Sequence, residues 1–570
     1  MNISLKDPLT ALDEKIVSFT AFNIDETDYY EYFNTSKSGF LITNKWILHL
    51  EKKKTSYFIQ PVCTYVKIKY RQQDIITKKI SYCVEIYNEN NCIDVTMDSN
   101  ILTSQGCREL LKYGCVYDEN NVRSLLKYLS MSAISAPTKN VHTRLGWIWD
   151  YEQPVFLANK AISQIDFESD YTGNLELAPK GTMKAFLKMI QNEVISKNNT
   201  ALLFGMLVGF ASPILGYLNH FLDLGCMVFS YSNLSSKGKT TLALLAASIF
   251  SNAASERGCF TTMDSTQKAL ISFVAQANSC TVSLDEAGTA DKKNIRQTLY
   301  QMASGRDRMR LDTDGNIKEH HTFNSCILCT AEFPIIDDTA PNGIRARVYE
   351  VHDNLTTSAE NADSIKKCVY KNYGHIGNKF VRFIVRNKLD CILDDYYAAK
   401  DELLKLYEEK DYIYGELTER ILSKLAVILV TAYYVNQCFS LHIPIQDIVE
   451  YILQLERSIT TEADIATKAL DCISQYVTRH NNKFLYDDEE YFNSALDGTV
   501  KDKRQYKEIR ILKTVVEQIL ADNGFENPKD VYNKWAEMKI LSSEKDRPYK
   551  RIKLVNELPT LPCFIFKITA

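Results

Sequence analysis

The chain is short of proline and glycine, with 13 and 21 among 570 residues, which excludes a collagen-like or Pro/Gly-rich low-complexity architecture. It has no basic excess. Lysine plus arginine number 67 against 71 acidic residues, a net charge of −4, and this excludes a uniformly basic, histone-like binder. There is no internal repeat and no low-complexity tract. The opening MNISLKDPLTALDEK is charged where a secretory signal needs an uninterrupted apolar stretch, so the expected location is cytoplasmic. The 15 cysteines are spread singly and read as reduced thiols, not as a disulfide framework. The CxxC at Cys326 and Cys329 has no second pair at zinc-finger spacing and lies in the apolar run SCILCTA, so no zinc is expected there.

What is present describes an ordinary globular protein, 45% apolar and 24% charged, long enough for three or four domains. The longest uncharged run, Ala201 to Leu218, reaches membrane-spanning length. Three glycines, Ser212 and Pro213 dilute it, and it leads into a phosphate-binding pattern that must work in water. We expect a buried helix and no membrane partner.

Residues 56–95 are rich in Val, Ile, Tyr and Thr in short runs, which is strand chemistry. Helical stretches follow near Thr103–Tyr113 and Val122–Met131, then a second aromatic patch. Residues 1–170 therefore read as an N-terminal α+β domain. Between 180 and 355 the alternation of helix, apolar strand and glycine loop marks an α/β nucleotide-binding core. Helical periodicity over 356–480 predicts a helical lid. Residues 481–570 are polar and lysine-rich, with helices expected near Lys507–Asn523 and Pro528–Met538 before two short strands. The fold class is multidomain α/β.

The strand GCMVFSY precedes Asn233-Leu-Ser235-Ser236-Lys237-Gly238-Lys239-Thr240, and a helix former beginning at Thr241 follows. The P-loop pattern GxxxxGK[ST] needs this placement, because loop N–H groups and the helix N-terminus cradle phosphates while the lysine reaches the terminal ones. Only the first position departs, with Asn233 in place of glycine. Asparagine tolerates a left-handed backbone better than other non-glycine residues. The strand CTVSL ends in Asp285 and Glu286, some 45 residues on. This suits a Walker B element, with Asp285 and Thr240 holding Mg²⁺ and Glu286 polarising the attacking water. A third strand, Ser325 to Thr330, ends in polar residues. In ATPases of the AAA+ class such a side chain senses the γ-phosphate, and Thr330 takes that role with Glu332 in reserve. Arg345 and Arg347, on one strand face, are candidates for an arginine finger acting on a neighbouring subunit's ATP, Arg347 preferred.

Between Asp285 and the third strand, Asp314-Gly315 flanked by alternating residues signals a hairpin. Arg306, Arg308 and Arg310 share one face, and with Lys318 and His320 they would touch the phosphates of single-stranded DNA in a ring's pore. Near the C-terminus, helix, helix and a basic hairpin outline a winged-helix module for duplex DNA. Lys545, Arg547, Lys550 and Arg551 form its wing. The alternatives are a charged solvent hairpin that merely joins two strands and a solvated basic tail, but the apolar spacing of Ile509, Leu512, Val515, Val516 and Leu520 argues for a folded C-terminal core.

Taken in order, HTRLGWIWDYEQPVFLAN, NLSSKGKT, VSLDEAG, SGRDRMRLDTDG, CTAEFPI and NGIRARVYEV resemble a family of phage- and plasmid-type AAA+ proteins of long-unknown function. Its characterised members are the self-loading, minichromosome-maintenance-like replication initiator helicases of staphylococcal pathogenicity islands and cassette chromosomes. The resemblance covers roughly residues 140–385. It implies an AAA+ core with ATP and Mg²⁺ as cofactors, a homo-hexameric ring moving 3′→5′ on single-stranded DNA, and a C-terminal winged helix for the double-stranded origin of a mobile element. A regulatory AAA+ ATPase without translocation and a primase-associated replication protein remain as alternatives.

Overall fold

The computed structural model describes residues 3–5, 16–19, 38–43, 46–53, 56–88, 91–149, 151–233, 237–254, 257–286, 292–307, 310–311, 317–318, 322–336, 342–412, 414–415, 417–462, 465–487, 495–503, 506–523, 525, 528–544, 547–556 and 558–568. The chain divides into two compact units, one of residues 1–144 and 157–174, the other of 145–156 and 175–570.

In the first unit, Val66–Asp74, Ile80–Asn88 and Asn91–Asp98 run antiparallel, as the β-branched and aromatic runs predict. Apolar residues at every second position of the first two strands face a helix, Val122–Ser135. Val66, Ile68, Val84 and Ile86 thereby bury against Leu125, Tyr128 and Leu129. The expected helix at Thr103–Tyr113 is instead a 3-10 helix over Gly106–Tyr113.

The second unit is built on a five-stranded parallel sheet. In chain order the sheet's strands and the helices used below are α1 (Thr200–Leu218), β1 (Met227–Ser232), α2 (Lys239–Ser248), β2 (Phe260–Thr262), β3 (Val282–Asp285), α3 (Lys292–Ala303), β4 (Cys326–Ala331), β5 (Val348–Val351), α4 (Ala359–Val369) and α5 (Thr418–Phe439). The strand order is β2-β3-β4-β1-β5, and every pairing is parallel. Strands buried on both faces read as continuous apolar runs, which is why MVFS, VSL and CILC carry no alternation.

Among the described residues two helices, α1 and α5, are long and apolar enough to cross a membrane, yet α1 is wholly buried inside the chain and α5 largely so. The glycines of α1 explain its fit. A Cβ at Gly205 would meet Leu242 at 2.6 Å and one at Gly209 would meet Ile249 at 2.5 Å, so α1 packs closely against the residues of α2 and its C-terminal cap. Cys326 and Cys329 are both buried in β4 as free thiols. Among the described residues no cluster of His, Cys, Asp or Glu suits a metal.

The C-terminal part differs from expectation in its sheet, which has five strands where two were expected, and in the helix that opens it. Lys507 and Arg510 lie on a strand, not on a helix. Its elements are α6 (Ile465–Arg479), β6 (Phe484–Tyr486), β7 (Gly498–Lys503), β8 (Tyr506–Leu512), α7 (Lys513–Asp522), α8 (Pro528–Glu537), β9 (Lys550–Ile552) and β10 (Leu561–Ile568). Ile509 and Ile511 alternate toward the core while Arg510 faces away, a period of two that outweighs the helical spacing of the residues after them. Helix α6, assigned by periodicity to the preceding helical region, packs through Ala466, Ala469 and Ile473 into the C-terminal core.

Candidate functional site

Strand β1 ends at Ser232, and Asn233 follows as an anchor. Its side-chain amide donates to the His352 carbonyl at 2.6 Å, and its own carbonyl accepts from the Lys239 ammonium. Asn233 is not among the residues with positive φ; the left-handed residue is Gly238, at φ 88°. The expectation that asparagine stands in for glycine by adopting that backbone is therefore corrected: it contributes a tether. Gly238 is required twice over, since a Cβ there would also approach Thr356 to 2.6 Å. Ser235 and Ser236 lie outside the described residues.

From Gly238 the chain turns into α2, whose N-terminal residues Lys239, Thr240 and Thr241 border a cavity of about 580 Å³. The cavity lies at the carboxyl ends of β1, β3 and β4, the usual ligand position in an open parallel sheet. It brings together Lys237, Gly238, Lys239, Thr240, Thr241, Asp285, Glu286, Thr330 and Glu332.

Within it the polar groups form one network. The Thr330 hydroxyl donates to Asp285 Oδ1, Thr240 Oγ1 donates to the same oxygen at 3.3 Å, and the Glu286 N–H donates to Thr330 Oγ1 at 3.0 Å. Asp285 and Thr330 are buried at 5% and 3% exposure, whereas the Glu286 side chain is exposed. Glu286 turns out of the strand at φ 57°, a conformation that costs a non-glycine residue on the order of 1 kcal/mol or more. Burial lowers the pKa of the Lys239 amine, while the charges of Glu332 and Asp285 act in the opposite direction.

The far wall was not read from the sequence. Asn354, Thr356, Thr357, Ser358, Asp363 and Lys366 line it. Ser358 caps α4 by accepting from the Asn361 N–H at 3.2 Å, so a second helix N-terminus borders the cavity. The available signal was a Thr-Thr-Ser run ahead of helical spacing. The Leu355 N–H donates to the Lys237 carbonyl at 2.9 Å and ties this wall to the loop.

The paired arginines are not on one strand. Arg345 ends a short helix, Asn342–Arg345, and is 1% exposed, because β5 begins only at Val348. Arg347 lies in the turn between them, donates to the Gly343 carbonyl at 2.6 Å and stacks over the Tyr300 ring at 5.1 Å. Neither lines the cavity just described. The hairpin forms, with Arg310 opposite Lys318 and Leu311 opposite Ile317, closed by an Arg306–Thr322 bridge. Arg308 and His320 lie outside the described residues, and Arg310 and Lys318 are described by backbone alone.

In the C-terminal part, Lys550 and Arg551 lie on β9, paired with Cys563 and Pro562 of β10. Arg547 is exposed and Lys545 is outside the described residues. Helices α7 and α8 pack on the sheet β6-β7-β8-β10-β9.

Comparison with known proteins bears on both parts. No curated protein matches the sequence. A solved structure described as "SCCmec type IV Cch - active helicase" superposes with a TM-score of 0.76 at 22% identity, covering 91% of this chain and 96% of that one. That likeness is one of fold. A JCV helicase structure, at 12% identity over 52% of this chain and 70% of that one, gives a TM-score of only 0.18 and carries no argument. Residues 464–568 match the model of the Cch helix turn helix domain, which starts where α6 does. Residues 33–322, just over half of the chain, match the model described as Domain of unknown function (DUF927), and the chain belongs to that family.

Proposed function

We propose that the chain is an ATP-driven DNA helicase with an AAA+ core that forms a homo-hexameric ring and initiates replication of a mobile element. The observation that carries the reading is the network joining Thr240, Asp285, Thr330 and the Glu286 backbone beside Lys239. Its cavity, about 580 Å³, falls within the range of small-molecule sites.

In this reading the N-termini of α2 and α4 and the Lys239 ammonium hold the triphosphate. Thr240 and Asp285 suit Mg²⁺, which is held by one or two protein oxygens together with substrate phosphates; when bound it neutralises charge on the β- and γ-phosphate oxygens. Glu286 orients and deprotonates the water that attacks the γ-phosphorus, and the products are ADP and phosphate. Thr330 fixes Asp285 and the Glu286 backbone so that both stay aligned. Arg347 acts on the ATP of a second copy, since its own chain's site lies at the other end of the sheet. The hairpin from Arg306 to His320 contacts single-stranded DNA, with 3′→5′ movement. The C-terminal part, starting with α6, presents α8 and the β9–β10 wing to origin DNA.

Unwinding of a forked duplex tests the reading. The intact chain separates strands with ATP, and Glu286→Gln abolishes both hydrolysis and separation. Hydrolysis indifferent to single-stranded DNA, without unwinding, would favour the regulatory ATPase instead.

A further inference from the structure

A second cavity, about 550 Å³, opens at the opposite end of the parallel sheet, beside Gly225 and the start of β1. The nucleotide cavity lies past the last residue of β1, so the six residues of that strand put the two about 20 Å apart. No residue lines both. Four cationic side chains converge on the second cavity: Arg306 from the hairpin base, Arg347 from the turn before β5, and Arg420 and Lys424 one turn apart on α5. Two carboxylates, Asp223 and Glu419, also line it, but Glu419 is engaged by Lys400 at 2.9 Å.

Lys424 is the unusual member. It is 6% exposed, its ammonium donates to the Cys226 carbonyl at 3.1 Å, and among the described residues no carboxylate is within ion-pair distance of any of the four cations. Cys226, Arg347, Arg420 and Asp223 are the charged or titratable groups around it. Burial pushes the Cys226 thiol up to about 11, so it offers no anion, and burial brings the Lys424 ammonium down to about 8. Asp223 is one carboxylate facing four cations and does not pair directly with Lys424; a buried cation so incompletely balanced is costly, and a cavity next to it supplies the room for an anion.

We propose that this cavity is a phosphoryl-anion site in which Arg420 and Lys424 act together with Arg347, with Arg306 of the hairpin base on its rim. Guanidinium forks match the spacing of phosphoryl oxygens, and a multiply charged anion balances several cations where a single carboxylate leaves most unpaired. The phosphate source is the nucleotide of a second copy or free phosphate, because the chain's own nucleotide cavity is too far away. The proposal rests on the ATPase reading only for the first source.

Two measurements on the full chain test it. In the first, inorganic phosphate or tripolyphosphate is titrated while the reactivity of Lys424 toward an amine-modifying reagent is followed by mass spectrometry. Protection is expected. It should weaken about tenfold or more in Arg420→Ala, the loss of one charge-assisted hydrogen bond, and affinity should fall as pH rises above about 8. Arg420 is exposed, so that variant folds even if a Lys424 variant does not.

In the second, Lys239→Ala, with an intact second cavity, is mixed with Lys424→Met, with an intact nucleotide cavity. ATPase exceeding the sum of the two alone places the anion on a second copy's nucleotide. Protection without complementation assigns free phosphate. Absence of both, with ATP hydrolysis by the unaltered chain and by Lys424→Met equal, overturns the site and leaves the ATPase reading standing. If the unaltered chain does not hydrolyse ATP, the ATPase reading fails and the protection measurement alone decides the site.

Discussion

The Thr330 hydroxyl donates to the Asp285 carboxylate, and in doing so it leaves a lone pair for the Glu286 N–H at 3.0 Å. One side chain at the end of β4 thus sets both the rotamer of the last residue of β3 and the backbone of the residue after it. In the proposed mechanism these are the Mg²⁺ ligand and the general base, so Thr330 acts on hydrolysis through its neighbours.

Replacing Thr330 with valine keeps the shape and removes both hydrogen bonds. We expect kcat for ATP hydrolysis to fall about 10- to 100-fold, the usual effect of losing a group that orients a catalytic ligand, with KM for ATP nearly unchanged. Thr330→Ser retains the hydroxyl and most of the activity. Steady-state kinetics on the three proteins decide it. Equal loss in serine and valine variants would mean that packing, not the hydroxyl, matters.

Gly238→Ala strikes the loop instead. At φ 88° an alanine costs about 1–2 kcal/mol, and its Cβ would meet Thr356 at 2.6 Å. Both strains fall where the loop joins α2 and the Thr356 wall. ATP binding should weaken by roughly tenfold or more, as measured by titration with a fluorescent nucleotide, and the strain should lower the melting temperature by a few degrees. A variant that binds ATP normally would show that the loop does not need its present shape.

Lys424 gives a prediction whose sign depends on pH. Its folded pKa of about 8 lies below the ordinary 10.5, so between those values the unfolded chain binds more protons and stability rises with pH. Below pH 8 the ammonium is charged in both states and its burial cost is borne in full. Lys424→Met should therefore stabilise the second unit at pH 7 by on the order of 1–3 kcal/mol, several degrees in Tm. The gain should shrink toward zero as pH approaches 10.5. Thermal melts of both proteins at pH 7 and pH 10 measure this, and a gain independent of pH would assign it to packing alone.

The parts legible in the sequence are those where chemistry and local pattern coincide. Lys239, Thr240, Asp285, Glu286 and Thr330 sit directly at strand ends and helix starts, so a linear spacing names them. The α4 wall escaped because Thr356, Thr357 and Ser358 have no diagnostic spacing to the loop; the contact arises only when the strand order β4-β1-β5 carries the chain back past it. Arg345 and Arg347 misled for a related reason. Two arginines at i and i+2 suggest one strand face, but the strand begins after them, and Arg345 is buried. Asn233 was legible as an anomaly and not as a tether, since its partner His352 is 119 residues away.

The C-terminal boundary supplies the last prediction. Trp535 of α8 is fully buried, and its indole N–H donates to the Ala466 carbonyl of α6 at 2.9 Å. Its ring packs edge-on against Phe566 of β10 at 5.0 Å. One side chain thus joins the first helix, the last helix and the last strand of this part, and α6 also buries Ala469 and Ile473 in the same core. A fragment of residues 464–570 should fold cooperatively, whereas one of residues 481–570 should expose that core and lack a thermal transition. Trp535→Ala in the full chain should cost about 3–5 kcal/mol in this region and abolish duplex DNA binding. ATP hydrolysis without DNA should persist, because the proposed nucleotide cavity draws no residue from beyond Lys366. Circular dichroism melts of the two fragments and DNA-binding titrations of the variant test each part, and a folded 481–570 fragment would show that α6 belongs to the preceding helical region after all.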